Sequence, residues 1–183
     1  DAGDHRVWDA VRGTATNLST NTTAAEWSGS PETVTSFDSD GFTLGSVNGD
    51  WNLSGRTYVA WNWKANGAGV SNTNGSITST VSANVDAGFS IVSYTGTGAV
   101  ATVGHGLTIA PEMVIVKSRS LSGKNWPTYH IATGNTNRTK LNATDASGAS
   151  SAWNNTTPSA SLITLGSQSE VNTASATQIA YAF

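Results

Sequence analysis

Two six-residue segments constrain this chain more than any other part of it. They are Tyr58-Val59-Ala60-Trp61-Asn62-Trp63 and Gln178-Ile179-Ala180-Tyr181-Ala182-Phe183. Each alternates bulky apolar residues with small or polar ones at period two, so an extended backbone gives it one bulky face and one small face. The pattern is shared while most residues differ, which is what packing requires rather than chemistry. Further blocks recur at nearly the same distance. Val7–Gly13 aligns with Thr128–Gly134, Gly41–Ser46 with Leu162–Ser167, and Leu18–Thr23 more loosely with Leu141–Ala146, at offsets of about 120 to 123. This predicts one module present twice.

The middle of the chain supplies more strands. Phe89–Tyr94 alternates and is broken by Thr95-Gly96-Thr97-Gly98. Ala99–Val103 can form a short strand, and Ile77–Ala83 alternates. Met113–Lys117 is a nearly continuous apolar run, the pattern of a strand covered on both faces. Asn66–Gly75 reads as a linker or long loop. The expected organisation is an incomplete first β unit over residues 1–64, a connector with one candidate strand over 65–88, and a complete second β-sandwich unit over 89–183. The first unit has counterparts only for the later strands of the second. A half-unit has open edges and half a core. It is expected to complete itself against the second unit, a neighbouring chain or an upstream segment. The start at Asp1, with neither Met nor leader, adds the expectation of a fragment or processed product.

Composition narrows the class. Ser, Thr and Asn together number 66, and Gly adds 19. Thr suits a pleated surface, and Asn, Ser and Gly suit turns, while strong helix formers are scarce. The fold class expected is therefore all-β, with antiparallel sandwich or jelly-roll units. Charged residues are 11 % of the chain against roughly 25 % in an ordinary domain. Nine cations spread along the sequence cannot track phosphates, so no nucleic-acid partner is expected. With no cysteine, disulfide staples and thiolate zinc sites are excluded. The run Met113–Val116 is far shorter than the roughly 20 residues of a membrane helix, so no membrane partner is expected. The eight Asn-x-Ser/Thr sequons follow from the composition.

Several strings also resemble a known module. They are Val34–Ser46, Thr57–Ala65, Gly88–Gly96, and Gly104-His105-Gly106-Leu107 followed by Pro111–Lys117. They are similar to a repeated domain of large virion proteins of tailed phages, marine and cyanobacterial ones above all. These proteins look like tail fibres or adhesins and often carry a concanavalin-like (LamG) jelly roll beside the module. The resemblance covers nearly the whole chain and implies a virion surface protein. It names no catalytic residue. Thr108 departs from it, standing where a glycine is expected.

The candidate site residues are few. Trp27, Trp51 and Trp153 lie in Ser/Gly/Asn-rich stretches, with Asn52 and Asn154 beside two of them. An indole flanked by amides can pack on sugar C–H groups while the amides take hydroxyls. These five are the candidate carbohydrate-binding residues. The alternative for each Trp is a cap on the sandwich core, and Trp8 and Trp126 are assigned to the core or its rim. Asp38 and Asp40 in Asp38-Ser39-Asp40-Gly41 have the alternation of a calcium loop but lack a third ligand, so a polar turn competes with Ca2+ there. No other cofactor is expected. Of the histidines His5, His105 and His130, His105 has no sequence-adjacent partner to orient it and His130 alternates out of the core, and the four glutamates give no paired-acid pattern. No catalytic residue is expected.

The function expected is a non-enzymatic phage virion protein. It would be a tail-fibre or adhesin segment that assembles as a homo-oligomer or with other virion proteins, located in the extracellular particle and binding host-surface glycan. The alternatives are a polysaccharide-degrading tail-spike domain and a capsid decoration protein without ligand.

Overall fold

A computed structural model describes residues 3–28, 33–45 and 51–183. The N-terminal part holds β1 (Arg6–Asp9), β2 (Gly13–Ser19), β3 (Trp27–Ser28), β4 (Val34–Phe37) and β5 (Phe42–Leu44). The middle holds β6 (Val70–Asn72), β7 (Ser79–Asn84), β8 (Phe89–Thr95), β9 (Ala101–Gly104) and β10 (Met113–Ser118). The last part holds β11 (Pro127–His130), β12 (Asn137–Lys140), β13 (Gly148–Ala149), β14 (Leu162–Leu165), the single turn of helix α1 (Ser169–Asn172) and β15 (Thr177–Ala182). The fold is all-β, as the composition required, and the named strands pair antiparallel.

One eight-stranded sheet organises the molecule, in the order β13-β12-β11-β10-β15-β8-β7-β6. Its centre is β15, paired to β10 on one side and β8 on the other. Period-two alternation gives this sheet two apolar faces. Val92, Val114, Val116, Ala180 and Ala182 point to one side, where β9 and β14 bring Val103, Ile163 and Leu165 against them. Phe89, Ile91, Ile179 and Tyr181 point to the other side, where Leu18 of β2 is buried with them and Val7 and Val11 pack against the cluster. The Met113–Lys117 run is thus covered on both faces because the β1-β2-β3 sheet lies over the second one. The connector 65–88 supplies two strands, β6 and β7, to the same sheet.

The alternation at 58–63 does not become a strand. Those residues have no strand assignment, and Val59 and Trp61 are 82 % and 80 % exposed. Tyr181, which the sequence pairs with Trp61, is only 7 % exposed in the centre of the sheet. Alternation specifies the faces of a strand, but a strand also needs neighbours for its backbone groups. Among the described residues, 58–63 have none.

β9 is held beside the β6–β7 connection by the parallel bridge Ile77↔Val103. Gly75 makes that approach feasible. Its φ is +91°, and a Cβ there would stand 2.6 Å from the Thr102 carbonyl oxygen. We expect Gly75→Ala to lower unfolding free energy by about 2 kcal/mol or more, because it combines left-handed strain with a backbone clash. Urea denaturation checks this, and an unchanged midpoint would refute the reading of the seam.

Candidate functional site

The N-terminal hairpin is attached to the large sheet by polar groups around an apolar contact. Asp9 ends β1, and its Oδ1 accepts from the backbone N–H of Val11 and Arg12, at 3.0 and 2.9 Å. That local turn directs Arg12 inward. The Arg12 side chain is fully buried, its Nε donating to Asp9 Oδ2 at 2.6 Å. The Tyr181 hydroxyl donates to the same Oδ2 at 2.7 Å, and Arg12 Nη2 reaches the Tyr181 oxygen at 3.2 Å. Burial opposes the Arg12 charge, but Tyr181 and the Asp9 and Glu26 carboxylates more than offset it, so its pKa lies above the ordinary value. Burial also pushes the Tyr181 hydroxyl up. Glu26 then bridges Arg12 to Arg119, which donates to it from Nε at 2.7 Å and Nη2 at 3.0 Å.

A second group of bonds holds the turn after β2. Trp126 Nε1 donates to the carbonyls of Ser19 and Thr22, both at 3.1 Å. Lys117 is fully buried, and its Nζ donates to the carbonyls of Thr23 and Lys124 at 3.1 and 2.6 Å, 5.8 Å from the Trp126 ring centroid. Burial lowers its pKa to about 8.

These attachments shape an open cleft of about 470 Å³ between the hairpin and the loop after β10. Asp4, Arg6, Glu26, Trp27, Trp51 and Ser122 are among its lining residues. Trp27 sits on β3 and is 42 % exposed. Trp51 is half-buried, its ring edge-on to Trp8 at 6.4 Å and its face 5.3 Å from the Arg6 guanidinium. Asp4 accepts from Arg6 Nη2 at 3.1 Å and from Ser19 Oγ at 3.3 Å. The Nε of Arg6 and the indole nitrogens of Trp8 and Trp51 are buried without an acceptor among the described residues.

The structure thus brings together two of the candidate tryptophans, Trp27 and Trp51. Asn52 is exposed beside them, its Nδ2 donating to the Gly45 carbonyl at 3.2 Å. Trp153 is a correction. It is 1 % exposed, its ring packed against Tyr129 at 5.9 Å and 72° in the first core. Asn154 and Asn155 beside it in sequence are exposed, while the indole and Ala152 fill the layer beneath. Asn154 lies on a turn with φ of +48°, apart from the cleft.

Asp38 and Asp40 lie between β4 and β5. Asp38 accepts from Ser36 Oγ and Thr43 Oγ1, both at 2.8 Å, so each oxygen serves the hairpin itself. Among the described residues, no group of three His, Cys, Asp or Glu side chains is placed to hold a metal ion. His105 is fully buried, and its Nδ1 accepts from the Leu107 N–H, which leaves Nε2 to donate to the Ser159 carbonyl. Burial lowers its pKa. His130 uses Nδ1 to accept from the Ala132 N–H and closes a turn. Both histidines have structural duties. Arg6, Asp4 and Glu26 were not singled out from the sequence, because their partners lie in other segments, Ser19 for Asp4, Trp51 for Arg6 and Arg119 for Glu26.

Residues 1–183 match the family model described as a domain of unknown function (DUF7483). The chain belongs to the DUF7483 family. No curated protein and no solved structure matches this DUF7483 chain.

Two outcomes test the attachment. Arg12→Met leaves Asp9 buried without its cation and should cost about 3 kcal/mol or more of unfolding free energy, measured by denaturant titration. Lys117 has a folded pKa below its unfolded value of 10.5, so between those values the unfolded chain binds more protons. Stability contributed at this site should therefore rise with pH from about 8 to 9.5, and Lys117→Met should remove that rise. Melting temperatures of both forms across that window check it.

Proposed function

We propose that this DUF7483 chain is a non-enzymatic structural and adhesive segment of a phage virion, with host-surface glycan held in the cleft beside Trp27. The observation that carries the binding part is the Trp27 ring, exposed at the cleft among polar side chains. An indole face packs on the C–H face of a pyranose, and carboxylates, guanidinium and hydroxyls on the walls take the sugar hydroxyls. Asp4, Arg6, Glu26 and Ser122 supply that set.

The virion setting rests on the resemblance of the Val34–Ser46, Gly88–Gly96 and Gly104–Lys117 strings to tail-fibre modules. The polar surface agrees with it, since a chain with 11 % charged residues depends little on salt. The non-enzymatic reading is supported by the state of the cleft carboxylates. Both oxygens of Glu26 accept from arginines, and both oxygens of Asp4 accept from Arg6, Ser19 or Asn21. Neither stands free opposite the other, as glycoside hydrolysis requires.

Calorimetric titration with oligosaccharides from the host surface polysaccharide tests the proposal. Trp27→Ala should weaken binding about tenfold, the loss of one stacking contact, while the fold is unaffected. Reducing ends should not accumulate during incubation. Equal binding by the variant, or accumulating reducing ends, would overturn the reading.

A further inference from the structure

Pairings in the N-terminal part recur 121 positions later in the second part. Arg6↔Ser19 and Val7↔Leu18 correspond to Pro127↔Lys140 and Thr128↔Thr139. Thr16↔Ser28 and Asn17↔Trp27 correspond to Asn137↔Ala149 and Arg138↔Gly148. Side-chain caps follow the same spacing. Asn21 Oδ1 accepts from the His5 N–H, and Asn142 Oδ1 accepts from the Trp126 N–H. Asp9 accepts from the Val11 N–H, and His130 accepts from the Ala132 N–H. Gly13 and Gly134 share positive φ values of 79° and 75°.

The likeness extends to the approach to residues 57–63. The Arg56 N–H donates to the Leu53 carbonyl, and the Ala176 N–H to the Thr173 carbonyl. Between them Gly55 and Ser175 have φ of 79° and 61°. The same turn therefore delivers residues 57–63 and β15. What differs is the neighbours. β15 lies between β10 and β8, and β11 pairs with the far side of β10. In the N-terminal part both corresponding positions are open. Among the described residues, 57–63 have no strand partner. The outer edge of β1 has none among the described residues either, apart from the bond from Arg12 Nη2 to the Val7 carbonyl at 3.0 Å.

We infer that β1 and residues 57–63 together form an acceptor for a strand pair of the β8 and β10 type from another copy of this module. The β10-type strand inserts between β1 and 57–63, and the β8-type strand lies on the far side of 57–63. Main-chain bonds supply the affinity, as in strand addition. The exposed Val59 and Trp61 side chains take the places of the buried Ile179 and Tyr181. The copy cannot be another chain's β8 and β10 as they stand, because β15 already occupies the space between them. The inference is independent of glycan binding.

An in-register fusion tests it. A duplicate of residues 65–121 joined directly ahead of Asp1 keeps the 121-residue spacing between equivalent positions, with the full chain intact. Amide exchange measured by mass spectrometry should slow at least tenfold over 57–63 and 6–9, with 177–182 unchanged as internal reference. Ala60→Pro should abolish the added protection at 57–63, and in the unfused chain it should leave the melting temperature unchanged, since no ladder exists there to break. Continued fast exchange at 57–63 in the fusion, whether or not the duplicate folds, would overturn the inference. So would concentration-dependent protection of 57–63 in the unfused chain, which would make a second identical chain the occupant.

Discussion

The docking of the N-terminal hairpin on the second face of the large sheet is the contact on which the rest of the structure depends. Without it, Ile91, Ile179, Tyr181 and Trp126 would face water. Apolar burial alone does not fix where the hairpin sits, since hydrophobic contact has no direction. Directional groups do. Arg12 and Asp9 meet Tyr181 at one end, and Trp126 and Lys117 hold the Ser19–Thr23 carbonyls at the other. Two buried cations in a chain this poor in charge would be costly if unpaired. Each is surrounded by acceptors or carboxylates, and this ties one register of docking to satisfied polar groups.

The same docking makes the cleft. Asp4, Arg6 and Trp27 come from the N-terminal part, and Ser122 of the loop after β10 completes the lining. Fold and candidate site therefore share one origin. The Arg119–Glu26 pair stands at that junction and links the Ser93 hydroxyl of β8 to the cleft wall.

Much of the fold was legible in the sequence. The alternations of Phe89–Tyr94 and Gln178–Ala182 and the apolar run Met113–Lys117 become β8, β15 and β10, the three central strands. Their signal is local, because which side chain meets which face depends only on period two. Residues 58–63 carry the same signal without the strand, since edge pairing is a long-range property that side-chain pattern does not encode. Trp153 shows the converse limit. Ser150, Ser151, Asn154 and Asn155 around it favour turns, and only the position of the turn above Tyr129 sends the indole inward. Trp27 and Trp51 were legible as rings in polar stretches, but their convergence with Asp4, Arg6 and Glu26 was not, because it is created by contacts between separated segments, such as Arg6 with Trp51 and Glu26 with Arg119.

Calorimetry of the full chain tests the docking most directly. If the hairpin and the sheet share one core, heating should give a single transition with equal calorimetric and van't Hoff enthalpies. Amide exchange of Leu18 in β2 and Ile179 in β15 should then report the same opening free energy. Two resolved transitions, with Leu18 exchanging through the earlier one while Ile179 stays protected, would contradict the account.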